Sequence, residues 1–137
     1  MIAPTDTPDG TVQHFSQLLG DGRVDALMAL YEDGAAFVPA PGRVVTGRES
    51  IRAEIEQLVA LRPTMSGRVE QVLQAGDTAL VAYRWQMRAT APDGAPIRQG
   101  GLSADVLRRR ADGSWGVIID DPYGAAGSVA KPDAASA

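Results

Sequence analysis

Leu102-Ser103-Ala104-Asp105-Val106-Leu107-Arg108-Arg109-Arg110-Ala111-Asp112-Gly113-Ser114-Trp115-Gly116-Val117-Ile118-Ile119-Asp120-Asp121 is a pair of β-rich runs hinged on an Asp-Gly turn. Polar and apolar residues alternate from Leu102 to Leu107, the pattern of a strand with one face buried. The same punctuation recurs upstream: Ala75-Gly76-Asp77 and Pro92-Asp93-Gly94 separate runs at Arg68 to Ala75, Thr78 to Ala91 and Ile97 to Arg109. With Trp115 to Asp121 these predict a four-stranded antiparallel meander.

Upstream of the meander the period changes from two to that of a helix. Val12, Phe15, Leu18 and Leu19 share one helical face, which Gly20-Asp21-Gly22 ends. Val24, Leu27, Met28 and Tyr31 follow at i, i+3, i+4 and i+7 and place the tyrosine on the buried stripe of a second short helix. Ala35-Ala36-Phe37-Val38, closed by Pro39 and Pro41-Gly42, predicts a short edge strand. Thr46 and Glu49 form a capping-box pattern ahead of Ile51, Ile55, Leu58 and Val59, a third helix that Pro63 closes. Helices on one side of a long antiparallel sheet make an α+β domain whose sheet curls around a cavity.

With 137 residues, 45% hydrophobic and 22% charged, the chain suits one domain with one core. Residues 1–9 and 124–137 are too poor in apolar side chains to offset ordering entropy and read as tails, leaving a domain at 10–123. A net charge of −4 from 13 basic and 17 acidic residues argues against a nucleic-acid partner. No cysteine is present, which removes disulfide, thiolate-metal and thiol chemistry and suits a cytoplasmic location. No apolar run approaches membrane-span length and no signal-peptide pattern opens the chain, so neither a membrane nor an anchor is expected. His14 is the only histidine and lies beside the Phe15 stripe, in solvent by expectation, so neither a metal site nor a Ser–His–Asp triad is expected. Gly100-Gly101 follows no strand-to-helix pattern and reads as room for Trp85, and no cofactor is visible. Arg108-Arg109-Arg110 reads as a solvated hairpin edge.

The order of elements, together with Val12-Gln13-His14-Phe15, Val24 to Tyr31, Val45 to Arg52 and the ending Asp112-Gly113-Ser114-Trp115 through Asp120-Asp121-Pro122-Tyr123, resembles the SnoaL-like branch of the nuclear transport factor two-like superfamily, which includes ketosteroid isomerases. The resemblance implies a cystatin-like fold: three N-terminal helices on a strongly curved, mostly antiparallel sheet that forms a cone-shaped pocket. It also implies a homodimer through the convex face. Of the isomerase residues, the helix-one tyrosine falls on Phe15 and the general base near Pro39, neither able to serve, while the acid of the penultimate strand falls on Asp105. Steroid isomerisation is therefore not expected, and a pocket with a carboxyl in it is.

Asp105 on the inner face of an apolar cone would lose hydration and hold its proton. On the opposite face it would pair with Arg84 or Arg108. Successive residues of the last strand point to opposite faces, so one of Asp120 and Asp121 enters the pocket. A two-residue Asp112-Gly113 turn sets Asp120 beside Asp105, whereas a three-residue loop beginning at Ala111 favours Asp121, and the family alignment favours Asp120. The other acid, or the pair together, would then cap the strand end. A three-residue bulged turn around Asp93 pairs Trp85 with Gly101 and Tyr83 with Ser103, giving an aromatic wall of Tyr83, Trp85 and Met87, or else plain core. Tyr31 offers a phenol at the site, and Phe15, Leu58, Ser103 and Ile118 complete the expected binding surface. The expected function is a cofactor-independent cyclase, isomerase or dehydratase that uses Asp105, Asp120 or Asp121, and Tyr31 on a hydrophobic, polyketide-like carbonyl compound. The alternatives are a non-catalytic dimeric binder of a hydrophobic metabolite, a scaffold using the convex face, and an epoxide-hydrolase-like enzyme, the last requiring Arg84 to face inward.

Overall fold

The computed structural model describes residues 3–124; most of the expected C-terminal tail lies outside the described residues. Ordered structure starts earlier than the expected boundary. A 3-10 turn at Pro4–Asp6 leads into α1 (Pro8–Asp21), where the Thr7 hydroxyl accepts the Gly10 N–H at 3.1 Å and Pro8 occupies a position that needs no donor. Gly22, at φ 72°, closes the helix in the left-handed conformation that a side chain would resist.

The second helix is shorter than its stripe suggests. α2 (Val24–Met28) ends before Tyr31, which opens β1 (Tyr31–Ala40) with no exposed surface. Its i+7 spacing marks the face correctly, but the buried position belongs to a strand. Nor is β1 an edge: it lies between β2 (Arg43–Thr46), an element with no signal in the periodicity, and the last strand. α3 (Arg48–Ala60) starts from Gly47 with no side-chain cap, because Thr46 is committed to β2, so the Thr46–Glu49 box does not form. Ile51 and Ile55 are fully buried, each worth about 1.5–3 kcal/mol of transfer free energy.

The remaining strands are β3 (Thr64–Ala75), β4 (Thr78–Thr90), β5 (Pro96–Leu102), β6 (Ala104–Arg109) and β7 (Trp115–Asp121). The order is β2-β1-β7-β6-β4-β3, with β5 also beside β4. Every pairing is antiparallel except β1 with β7, so the simple meander becomes an open mixed sheet extended by β1 and β2. β5 and β6 are the expected single strand interrupted at Ser103, and both keep one register on β4. α1 packs across β3 and β4 while α3 packs on β1. This α+β arrangement is the one expected.

Three glycines surround Trp85 in the sheet. Its neighbours there are Gly67 on β3 and Gly101 on β5, with Gly100 next along. A Cβ on Gly67 would come within 2.4 Å of the Arg84 carbonyl oxygen and 2.7 Å of the Tyr83 ring, and one on Gly100 within 2.8 Å of the Trp85 carbonyl oxygen. Only glycine lets the backbones approach so closely, and that approach coils the sheet around a hollow. No helix among the described residues is long and apolar enough to cross a membrane.

Candidate active site

Alternation along β4 turns Tyr83, Trp85 and Met87 to the concave face, opposite Ser103 and Asp105. Phe15 from α1 and Leu58 from α3 close the hollow, which holds about 680 Å³ of empty space, its open mouth included. Val12, Phe37, Met65, Gln99 and Tyr123 also line it and were not among the expected residues. Their signal lay partly in the pattern, since Val12 shares the Phe15 face and Phe37 alternates with Ala35. Ile118 and Tyr31, both expected at the site, do not line the cavity.

The hairpin decides which final aspartate enters, and it does so in two steps. Arg110 N–H bonds to the Ser114 carbonyl at 2.7 Å, closing a three-residue loop from Ala111 to Gly113. That loop by itself would send Asp121 inward. Between Leu107↔Val117 and Val106↔Ile119 the register slips by one residue, and Ile118 is the extra residue on β7. The slip reverses the parity of everything beyond it, so Asp105 pairs with Asp120, both 6–7% exposed, and both line the cavity. Ile118 is thus spent on the bulge. Asp121 sits off the wall, half-buried, where its carboxylate accepts the Tyr123 N–H at 3.1 Å and helps turn the chain.

Burial is the first cause that pushes both acids above the usual carboxylate range. Asp105 is pushed well above it: after burial, the charge of Asp120 raises it further, and the Ser103 hydroxyl opposes the shift. Asp120 is raised less, because Tyr31 and Asp105 both hydrogen-bond to it and favour its anion. Of the two, Asp105 is the one held more firmly in its neutral form, and Asp120 the one whose anion its neighbours favour.

Ser103 fixes the Asp105 carboxyl. Its hydroxyl oxygen accepts the Tyr83 N–H at 3.1 Å, so its own hydrogen goes to Asp105 Oδ2 at 2.7 Å. Asp105 Oδ1 is buried with no hydrogen-bond partner of its own. The bond from Tyr83 to a side chain instead of a carbonyl is also what interrupts the strand between β5 and β6. Ser103 thus acts through Asp105 besides forming part of the wall.

Tyr31 likewise acts from behind. Its hydroxyl donates to Asp120 Oδ2 at 2.5 Å, its ring meets Phe15 edge-on at 5.6 Å, and burial pushes the phenol well above its ordinary range. The backbone is pinned as well: Arg48 and Arg110 both donate to the Tyr31 carbonyl, and Arg110 also pairs with Glu32. Just beyond it β1 gains residues relative to β7 between Tyr31 and Ala36, and Asp33 and Gly34 there are exposed. Trp85 is fixed by donation from Nε1 to the Pro122 carbonyl at 2.7 Å and by edge contact with Tyr123.

Several expectations resolve outside the cavity. Arg84 is on the outer face, paired with Glu70 at 3.1 Å, so the inward arginine needed for an epoxide-hydrolase-like site is not built and Asp105 is not its partner. His14 is half-buried instead of solvated, with Nδ1 covered, because α1 presses its flank against the fold. The Arg108–Arg110 run is only partly a solvated edge: Arg109 stacks over Trp115 at 4.9 Å and pairs with Asp77, and Arg110 holds Glu32.

Comparison with known proteins adds the lineage. The model of the SnoaL-like domain matches residues 12–117. Among solved structures, a ketosteroid isomerase-like protein from Erwinia carotovora atroseptica superposes with TM-score 0.74 at 18% identity, covering 88% of this chain and 95% of that one. A protein of the nuclear transport factor two-like family from Streptomyces avermitilis gives 0.68 at 20% identity, covering 81% and 89%. A protein with a cystatin-like fold from Novosphingobium aromaticivorans gives 0.66 at 20% identity, covering 91% and 84%. At these identities the likeness is one of fold. A search of the curated proteins finds no match.

Proposed function

This chain belongs to the SnoaL-like domain family, and from that premise we propose that it is a cofactor-independent enzyme that moves a proton next to the carbonyl of a largely apolar small molecule. The observation that carries the reading is the buried Asp105–Asp120 pair at the wall of an apolar cavity, where burial pushes both acids above the usual carboxylate range. Asp120, ionised and held by Tyr31, takes a proton from carbon; the electron pair moves to the carbonyl oxygen, where Asp105 donates its hydrogen bond. Return of the proton to a different carbon is isomerisation, loss of a β-hydroxyl as water is dehydration, and attack of the enolate on a second carbonyl is cyclisation. Tyr31 is a positioning residue in this scheme, since it touches Asp120 and not the cavity.

The test is deuterium uptake. Wild-type protein in D2O with a panel of neutral aryl ketones and β-dicarbonyl compounds should deuterate the carbon beside the carbonyl, and Asp120→Asn should abolish it. Binding without exchange across the panel would instead support the second reading, a metabolite carrier, which the aromatic wall of Tyr83 and Trp85 favours.

We place a second copy of the chain on the convex face. Leu73, Leu80, Val106, Ile119 and Ala36 are successive register partners across five strands, and Leu73, Leu80 and Ile119 are exposed. A continuous apolar row of this kind is what an isologous interface uses. Leu80→Arg should leave a monomer in sedimentation if the row is that interface.

A further inference from the structure

The convex face changes character along β4. At one end Leu80 belongs to the apolar row; at the other, about 26 Å further along the strand, Arg88 projects on the same face beside its β5 register partner, Arg98. Facing positions on adjacent strands bring Cα atoms to about 4.5–5.5 Å, and like charges set directly opposite are destabilising. Nothing within the chain relieves this pair. Arg68 and Arg84 share Glu70, and Arg109 and Arg110 take Asp77 and Glu32, whereas Arg88 and Arg98, both exposed, form no ion pair among the described residues.

The surroundings add donors and no carboxylate. Thr64 of β3 is the other register partner of Arg88, and Gln86 stands opposite Gly100, whose missing side chain lets the surface dip into a groove between Gln86, Arg88 and Arg98. An adjoining groove runs from Arg88 past Thr64 to Arg62, beyond the end of α3, and no Asp or Glu lines either. Arg62 is also the one non-glycine residue among those described in the left-handed conformation, φ 52°, where its N–H donates to the Val59 carbonyl at 2.9 Å. Gly22 ends α1 in that conformation without resistance, so at Arg62 a cation is kept against a backbone preference.

Charge and shape decide the guest. A carboxylate brings one charge and two oxygens and leaves the cluster mostly unmatched. A phosphate monoester brings about −1.5 to −2 near neutral pH and three acceptor oxygens, and guanidinium forks match such oxygens in pairs. We propose that Arg88 and Arg98, flanked by Arg62, form a binding site for the phosphate monoester group of a small soluble molecule. Met87 and Gln99 line both this groove and the cavity, so the two hollows have the sheet as a common wall. The site stands independently of the proton-transfer reading, and the failure of one does not bear on the other.

Calorimetry on the full chain at pH 7.5 in low salt tests it with phenyl phosphate, phenyl sulfate and benzoate. Phenyl phosphate should bind at a single site roughly tenfold or more tightly than either monoanion, and Arg88→Gln or Arg98→Gln should weaken it by roughly tenfold or more. Arg108→Gln, which removes an equal charge opposite Thr78 at the far end of β4, should leave binding unchanged. Thermal unfolding excludes a trivial loss: without ligand Arg88→Gln and Arg98→Gln should melt no lower than wild type, because the repulsion is relieved, and phenyl phosphate should raise the wild-type melting temperature more than theirs. No saturable binding of phenyl phosphate, or an equal loss in Arg108→Gln, would overturn the site and leave the arginines as a solubilising face. Phenyl sulfate or benzoate bound as tightly would overturn the phosphate assignment. Capture on phosphatidic acid vesicles without binding of the soluble ester would overturn the small-molecule reading in favour of a membrane surface.

Discussion

Glu70 and the Asp105–Asp120 pair lie on opposite faces of the same sheet, and their carboxyl groups titrate in opposite directions. Glu70, on the convex face, accepts from Arg68 at 3.0 Å and from Arg84 at 3.1 Å, and those hydrogen bonds hold it below the usual carboxylate range. Asp105 and Asp120, on the concave face, have hydroxyls and each other as side-chain partners, and burial holds them above it. Residue type is nearly the same; solvent and counter-charge differ. A carboxylate that keeps its water and its arginines is a solubilising group, and one deprived of both becomes an acid or a base.

The most severe way to break the contrast is to remove the base. Asp120→Asn should lower exchange on a responsive ketone by about 10²–10⁴-fold, with an unchanged circular dichroism spectrum showing that the fold survives. Tyr31→Phe should cost about tenfold and move the acidic limb of the pH profile upward. It removes a bond that favours the Asp120 anion, so the carboxyl then ionises only at higher pH. The wild-type profile should be bell-shaped, rising as Asp120 ionises and falling as Asp105 loses its proton, with both limbs belonging to the pair.

Stability sharpens the contrast from the other side. Asp105 binds its proton more tightly folded than unfolded, so between the unfolded value, about 3.9, and its higher folded value the native state holds a proton that the unfolded chain has released. Stability contributed by this group is full below that window and is lost as pH rises through it. Asp105→Asn should therefore raise the melting temperature at pH 8, by the equivalent of about 1–2 kcal/mol, while impairing exchange. Ser103→Ala should leave exchange detectable but move the alkaline limb upward, since it removes a hydrogen bond that favours the Asp105 anion. The smallest effect belongs outside: Glu70→Gln should shift the melting temperature by no more than roughly 1 °C and leave exchange untouched, because exposed ion pairs contribute little.

Much of this site can be read along the chain. Alternation through Leu102–Leu107 put Asp105 on a buried face, the turn around Asp93 set Trp85 against Gly101, and the helical spacing marked Phe15, Leu58 and the buried face of Tyr31. Each of these rests on residues a few positions apart, where periodicity and turn chemistry act directly. The choice between Asp120 and Asp121 was not legible in the same way. It turns on a bulge at Ile118 that cancels the parity of a three-residue loop, and Gly116-Val117-Ile118-Ile119 has no local marker for an extra residue.

The sequence by itself determined an α+β chain, its alternating strands, its apolar cone and the presence of acids near the end of the last two strands, because such features follow from the pattern within each segment. Only the tertiary structure decided that β1 runs parallel to β7 within the sheet, that Tyr31 reaches Asp120 across 89 positions of chain, and that two carboxyls are buried side by side. The physical reason is that desolvation and charge coupling are properties of what surrounds a group in space. Here those surroundings are assembled from segments at the two ends of the domain.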